Sequence, residues 1–126
     1  MATTKSGAKL LFKVGHWVQS IFHFNKRSDM DITVNELKER QTAGDDNFTL
    51  LDVRENYERA EFNIGGVHIP LGDVPARYGE LSDKKDEEII VYCRSGKRSA
   101  NAVAFLNQLG FSNVRNLTGG MLAWQG

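Results

Sequence analysis

Cys93 is the chain's single cysteine, and it closes the apolar, β-prone run Glu88-Ile89-Ile90-Val91-Tyr92. It opens the segment Cys93-Arg94-Ser95-Gly96-Lys97-Arg98-Ser99, which leads into the helix-like stretch Ala100 to Leu109. A thiol at the carboxyl end of a buried strand, facing a helix start and three cationic side chains, is placed to ionise. Backbone N–H groups at a helix start carry partial positive charge and receive anions. The thiolate stabilised in this way is the nucleophilic form of cysteine. The same cradle, Arg94 to Ser99, would take up a small anion rich in sulfur or oxygen. A lone cysteine is more often a buried, inert side chain. The basic, glycine-containing turn that follows Cys93 favours the reactive reading.

Gly96-Lys97 invites a test for a nucleotide-binding loop. That pattern requires Ser or Thr after the Lys and a Gly five positions before the second Gly. Arg98 and Val91 stand at those positions, so the nucleotide reading fails.

The segment from Cys93 to Ser99 resembles the active-site loop of the single-domain rhodanese-like sulfurtransferase family. Other landmarks follow in the family's order: Leu50-Leu51-Asp52-Val53-Arg54-Glu55, then Ile69-Pro70-Leu71, and Leu117-Thr118-Gly119-Gly120-Met121-Leu122-Ala123-Trp124. The resemblance covers about Asp31 to Gly126. It implies that Cys93 takes the outer sulfur of a donor such as thiosulfate, holds it as a persulfide, and passes it to a thiol or cyanide-like acceptor. No cofactor is implied. Asp52 and Arg54 would support the loop, as similar residues do in rhodaneses, with an ordinary ion pair as the alternative. Gly119-Gly120 would allow a tight turn beside the loop, with Trp124 packed behind it. One departure stands out. Many rhodaneses have a Gly-His-Ile-Pro-Gly-Ala-like segment where this chain reads Phe62-Asn63-Ile64-Gly65-Gly66-Val67, without the histidine.

Loop length bears on the choice of chemistry. Cys93 and Arg98 form Cys-x4-Arg, whereas the related phosphatases use Cys-x5-Arg, whose larger ring holds a tetrahedral phosphate. Residue 99 is Ser, so the longer pattern is absent. Sulfur transfer is therefore preferred to phosphatase or arsenate reductase activity. The alternative from another class is a rhodanese-fold module that binds a partner or senses an oxidant with little turnover.

Around this loop the pattern is one of strands alternating with helices. Ile32-Thr33, Phe48 to Val53, Val67 to Pro70, Glu88 to Tyr92 and Val114 to Leu117 read as strands. Val34 to Thr42, Glu55 to Phe62, Pro75 to Leu81, Lys97 to Leu109 and Gly120 to Gln125 read as helices, with Ser82 to Glu87 an exposed charged loop. Such alternation predicts an α/β fold: a central parallel sheet of about five strands covered by helices on both faces. Ligands in these folds bind outside the carboxyl ends of the strands, where Cys93 falls. His68 reads as structural.

With 126 residues, 40% of them apolar and 25% charged, the chain fits one rhodanese-like domain over residues 31–126, preceded by a segment of its own kind. One cysteine rules out an internal disulfide, a paired-cysteine zinc site and an internal resolving thiol, and no metal site is expected. A reactive free thiol suits the cytoplasm. The zero net charge hides an asymmetry. Residues 1–30 hold five basic residues against one acid, a net of +4, leaving 11 basic and 15 acidic residues and a net of −4 beyond them. An acidic body is a poor nucleic-acid binder, since that binding rests on phosphate neutralisation. Leu10, Val14, Trp17, Val18, Ile21 and Phe24 lie near helical spacing, which predicts an amphipathic basic helix. It could pack on the domain, join two copies into a homodimer, or use residues 9–24 to contact a partner or a membrane surface. Its apolar runs are too short to cross a membrane.

Overall fold

A computed structural model describes residues 30–126. The amphipathic stretch expected over residues 9–24 lies outside them. The described chain begins with β1 (Asp31–Thr33), α1 (Val34–Thr42), β2 (Thr49–Asp52), α2 (Asn56–Glu61) and β3 (Val67–His68). A 3-10 turn (Leu71–Asp73), α3 (Val74–Arg77) and a second 3-10 stretch (Tyr78–Lys84) follow. The half that carries Cys93 is β4 (Ile89–Tyr92), α4 (Lys97–Gln108), β5 (Val114–Thr118) and α5 (Gly120–Gln125). The strands make one sheet in the order β1-β5-β4-β2-β3, and every pairing is parallel. This is the α/β architecture that the alternating pattern predicts.

The central strand β4 is buried along its whole length. Because strand side chains alternate between faces, its residues divide between two cores. Ile89, Val91 and Cys93 join Val74, Leu81, Ala102, Val103 and Leu106 on one face. Ile90 and Tyr92 join Val34, Leu37, Leu117 and Met121 on the other. Helices α3 and α4 thus cover one side of the sheet, and α1 and α5 the other. A parallel strand with both faces covered reads as an unbroken apolar run, which is how β4 reads.

Local signals explain the element boundaries. Thr33 caps α1: its hydroxyl accepts from Glu36 N–H at 3.1 Å, and the Glu36 carboxylate accepts from Thr33 N–H at 2.9 Å. Pro75 sits in the first turn of α3, where no helical N–H is missed. Two expectations are corrected here. The helix expected over Pro75 to Leu81 is only the four-residue α3 followed by a 3-10 stretch. That stretch continues to Lys84, into the region read as loop, because Leu81 is drawn fully into the core and tightens the turns around it. Among the described residues, no helix is long and apolar enough to cross a membrane.

At the amino end of the sheet, the Glu88 carboxylate accepts from both terminal guanidinium nitrogens of Arg40 at 2.8 Å and from one of Arg115 at 3.1 Å. This ties α1 and β5 to the start of β4. The carboxyl end of the sheet is left for the loop.

Candidate active site

β4 delivers Cys93 to the carboxyl edge of the sheet, and α4 begins four residues later. The chain must turn sharply between them. Gly96 makes the turn at φ +100°, a left-handed conformation that a side chain would strain, and it forms the N-cap of α4. A second constraint comes from below the loop. The N–H groups of Met121 and Leu122, in the first turn of α5, donate to the carbonyls of Cys93 and Arg94, both at 2.9 Å. The loop is therefore fastened to α5 through its own backbone.

The sulfur itself is enclosed. Cys93 has no exposed surface. Gly96 N–H donates to Sγ at 3.1 Å and Ser99 N–H at 3.4 Å, while the Ser99 hydroxyl lies 3.3 Å away. Burial pushes the thiol up. The Ser99 hydroxyl and the N–H groups of Ser99, Gly96 and Ser95 oppose it by bonding to the charged form, and the net effect holds the thiol below its ordinary range.

The three cations are arranged differently from what their place in the sequence suggests. Arg94 and Lys97 are exposed and have no side-chain partner among the described residues. Arg98 is turned to Glu58 on α2 in a two-pronged ion pair of 2.7 and 2.9 Å. Its charge reaches Cys93 across space, not by contact. Hydrogen bonds from the loop's own backbone, more than side-chain charge, thus bear on the sulfur. Glu58 is a residue that sequence reasoning missed, since nothing in the chain marks an acid 40 residues upstream as the partner of Arg98.

The Arg98 pair has a measurable consequence. Hydrogen bonding by Arg98, against a smaller opposing effect of burial, lowers the Glu58 carboxyl from 4.5 to about 2. A depressed folded-state value contributes stability above the unfolded value, and that stability is lost as pH falls through the folded one. Glu58→Gln should therefore flatten the acid destabilisation between about pH 4.5 and pH 2. Urea midpoints measured across that range check this, and an unchanged acid slope would show that the pair contributes nothing.

Asp52 and Arg54 emerge at the same edge from β2 and are both buried. Among the described residues neither forms a hydrogen bond or ion pair with the loop. The Asp52 carboxylate takes the Arg54 Nε and Nη2 hydrogens, each at 2.9 Å. Arg54 also donates to the carbonyls of Glu58 and Phe62 at 3.3 and 2.6 Å. Their support is thus indirect: they hold the α2 segment that presents Glu58 to Arg98. His68 accepts a structural role too, with Nε2 at 2.8 Å from the Arg54 carbonyl. Asn63, in the stretch that lacks the family's histidine, bonds its own turn through Gly65 N–H at 2.8 Å.

Beside the loop lies a cavity of about 400 Å³ bordered by Arg54, Glu58, Arg94, Tyr57, Phe62 and Leu122. The last three are the large apolar side chains that are exposed among the described residues. Glu61 also lines the cavity, which thus carries charges of both signs. Asn116 on β5, a second residue that sequence reasoning missed, lies behind the loop and bonds both Ser99 and Gly96. Its signal was a β-averse polar residue inside an otherwise buried strand.

Comparison with known proteins agrees with this geometry. The rhodanese-like domain family profile matches residues 33–126. The protein YtwF of Bacillus subtilis (strain 168) is 44% identical over 97 residues, covering 76% of this chain and 90% of its own length. A sulfurtransferase of Allochromatium vinosum is 36% identical over 91 residues, covering 71% of this chain and 83% of its own. Among solved structures, the human single-domain sulfurtransferase TSTD1 superposes with a TM-score of 0.63 at 27% identity, over 76% of this chain and 95% of that one.

Proposed function

Because this chain belongs to the rhodanese-like domain family, an enzyme family with named sulfurtransferases among its members, we propose that it moves sulfane sulfur through a persulfide on Cys93. The Cys93 thiolate attacks the outer sulfur of thiosulfate. A new S–S bond forms, the old one breaks, and sulfite leaves with the electron pair. A thiol or cyanide-like nucleophile then attacks the outer sulfur of the persulfide, and Cys93 departs as a thiolate. No oxidant or cofactor enters either step.

One observation carries this reading: several N–H groups and one hydroxyl converge on a single buried sulfur. The same donors serve both halves of the reaction. They favour the thiolate before attack and receive it again as a leaving group. A sulfur with no exposed surface also favours a donor whose reactive atom is terminal and slender, as in thiosulfate. Arg94 and Lys97, exposed and without side-chain partners among the described residues, are suited to draw in a dianion.

Two alternating half-reactions through a covalent intermediate give ping-pong kinetics. Initial rates over a grid of thiosulfate and acceptor concentrations should give parallel double-reciprocal lines. Intersecting lines would require both substrates to be bound together and would remove the persulfide from the cycle. Labelling of Cys93 without turnover would instead indicate a sensing or binding module.

A further inference from the structure

The Gly96 and Ser99 N–H groups point to Cys93 Sγ whatever its charge. The Ser99 hydroxyl is different, because it has one hydrogen and stands between two atoms that can accept it. Its Oγ lies 3.3 Å from Cys93 Sγ and 2.5 Å from Asn116 Oδ1. The orientation of the Asn116 amide is set from its other side. Nδ2 lies 3.2 Å from the Gly96 carbonyl, which can only accept, so Oδ1 must face Ser99 and Ser99 must donate to it. Both side chains are withdrawn from solvent: Ser99 is 0% exposed and Asn116 8%.

We propose that Asn116 is a positioning residue for Cys93, competing with the sulfur for the Ser99 hydroxyl hydrogen and so restraining ionisation of the thiol. In the thiol state S–H donates to Oγ and Oγ–H donates to Oδ1, so the sulfur, the hydroxyl and Oδ1 do not compete. In the thiolate state Sγ and Oδ1 both require the one hydrogen, and a buried acceptor is left short. Leaving a buried acceptor unpaired is costly. The competition therefore weakens the pull of the hydroxyl on the thiolate without abolishing it. Such restraint has a chemical use, since a thiolate's nucleophilicity falls as its thiol becomes more acidic.

The charges around the sulfur do not change in this exchange. Arg98 acts from α4 while held by Glu58 of α2. Arg94 and Lys97 are exposed on the loop, and Asp52 and Arg54 at the end of β2 pair with each other. Tyr92, just before Cys93, turns its hydroxyl to Gly65 on the opposite face. Arg115 on β5 is turned to Glu88, and α5 carries no titratable side chain.

The inference concerns the sulfur on which the persulfide reading rests, yet it is tested without a sulfur donor, so the two fail separately. The rate of Cys93 alkylation by iodoacetamide would be measured against pH for wild type, Asn116→Leu and Asn116→Asp, each with Ser99 and with Ser99→Ala. Asn116→Leu frees the hydroxyl for the sulfur and should speed alkylation on the acid side roughly threefold to tenfold. Asn116→Asp keeps the shape, offers a stronger acceptor and should slow it. Both effects should shrink once Ser99 is Ala. Either variant moving the profile in the opposite direction or not at all, or an effect of equal size without the Ser99 hydroxyl, would overturn the proposal.

Discussion

Cys93→Ser should abolish sulfur transfer from thiosulfate, by at least about 10⁴-fold, while leaving the domain folded. A serine hydroxyl in this position is a far weaker nucleophile and cannot carry a sulfane sulfur reversibly. The fold should survive because serine fits the space and can accept the Gly96 and Ser99 N–H bonds that now end on Sγ. Steady-state transfer to cyanide or a thiol, with a thermal melt on the same sample, separates the two effects. Residual transfer within tenfold of wild type would place the nucleophile elsewhere.

Gly120→Ala should be the most damaging single change to the fold around the loop. Gly120 sits at φ +54° with its α-carbon packed against the loop's backbone. An added Cβ would overlap the carbonyl oxygen of Cys93 and come within 2.6 Å of that of Arg94, both of them main-chain atoms with little room to move. The left-handed conformation and the overpacking together cost about 2 to 5 kcal/mol. For a domain of this size that is a fall in Tm of about 10 °C or more. Activity should fall with it, because relief of the overlap must pull Met121 and Leu122 N–H away from the Cys93 and Arg94 carbonyls. Gly72→Ala is the control, since a Cβ there meets nothing within 4 Å and the backbone is not left-handed. Equal melting temperatures for the two variants would show that the loop is not fastened through Gly120.

The parts of this arrangement that were legible in the sequence are those coded by local pattern. The unbroken apolar run before Cys93 marks a fully covered central strand, and β4 is one. Val34 to Thr42 and Gly120 to Gln125 are helices at the expected residues, the first stopped at its start by Thr33. What was not legible depends on the meeting of distant segments. Arg98 reads as a loop cation next to Cys93, yet its direction is decided by Glu58, which α2 brings to it across the edge of the sheet. Asp52 and Arg54 read as loop supports, but their hydrogen bonds go to each other and to the carbonyls of Glu58 in α2 and of Phe62 just after it. Asn116 is 17 residues beyond Ser99, and only the pairing of β5 beside β4 makes them neighbours.

The central claim is that sulfur rests on Cys93 between donor and acceptor. Intact mass spectrometry tests it directly: the protein is treated with thiosulfate, freed of excess reagent, and weighed before and after addition of a thiol acceptor. The wild-type chain should gain one sulfur atom, Cys93→Ser should gain none, and the acceptor should return the wild-type mass to its starting value. A wild-type mass that never changes, or a sulfur that attaches equally to the serine variant, would contradict the persulfide.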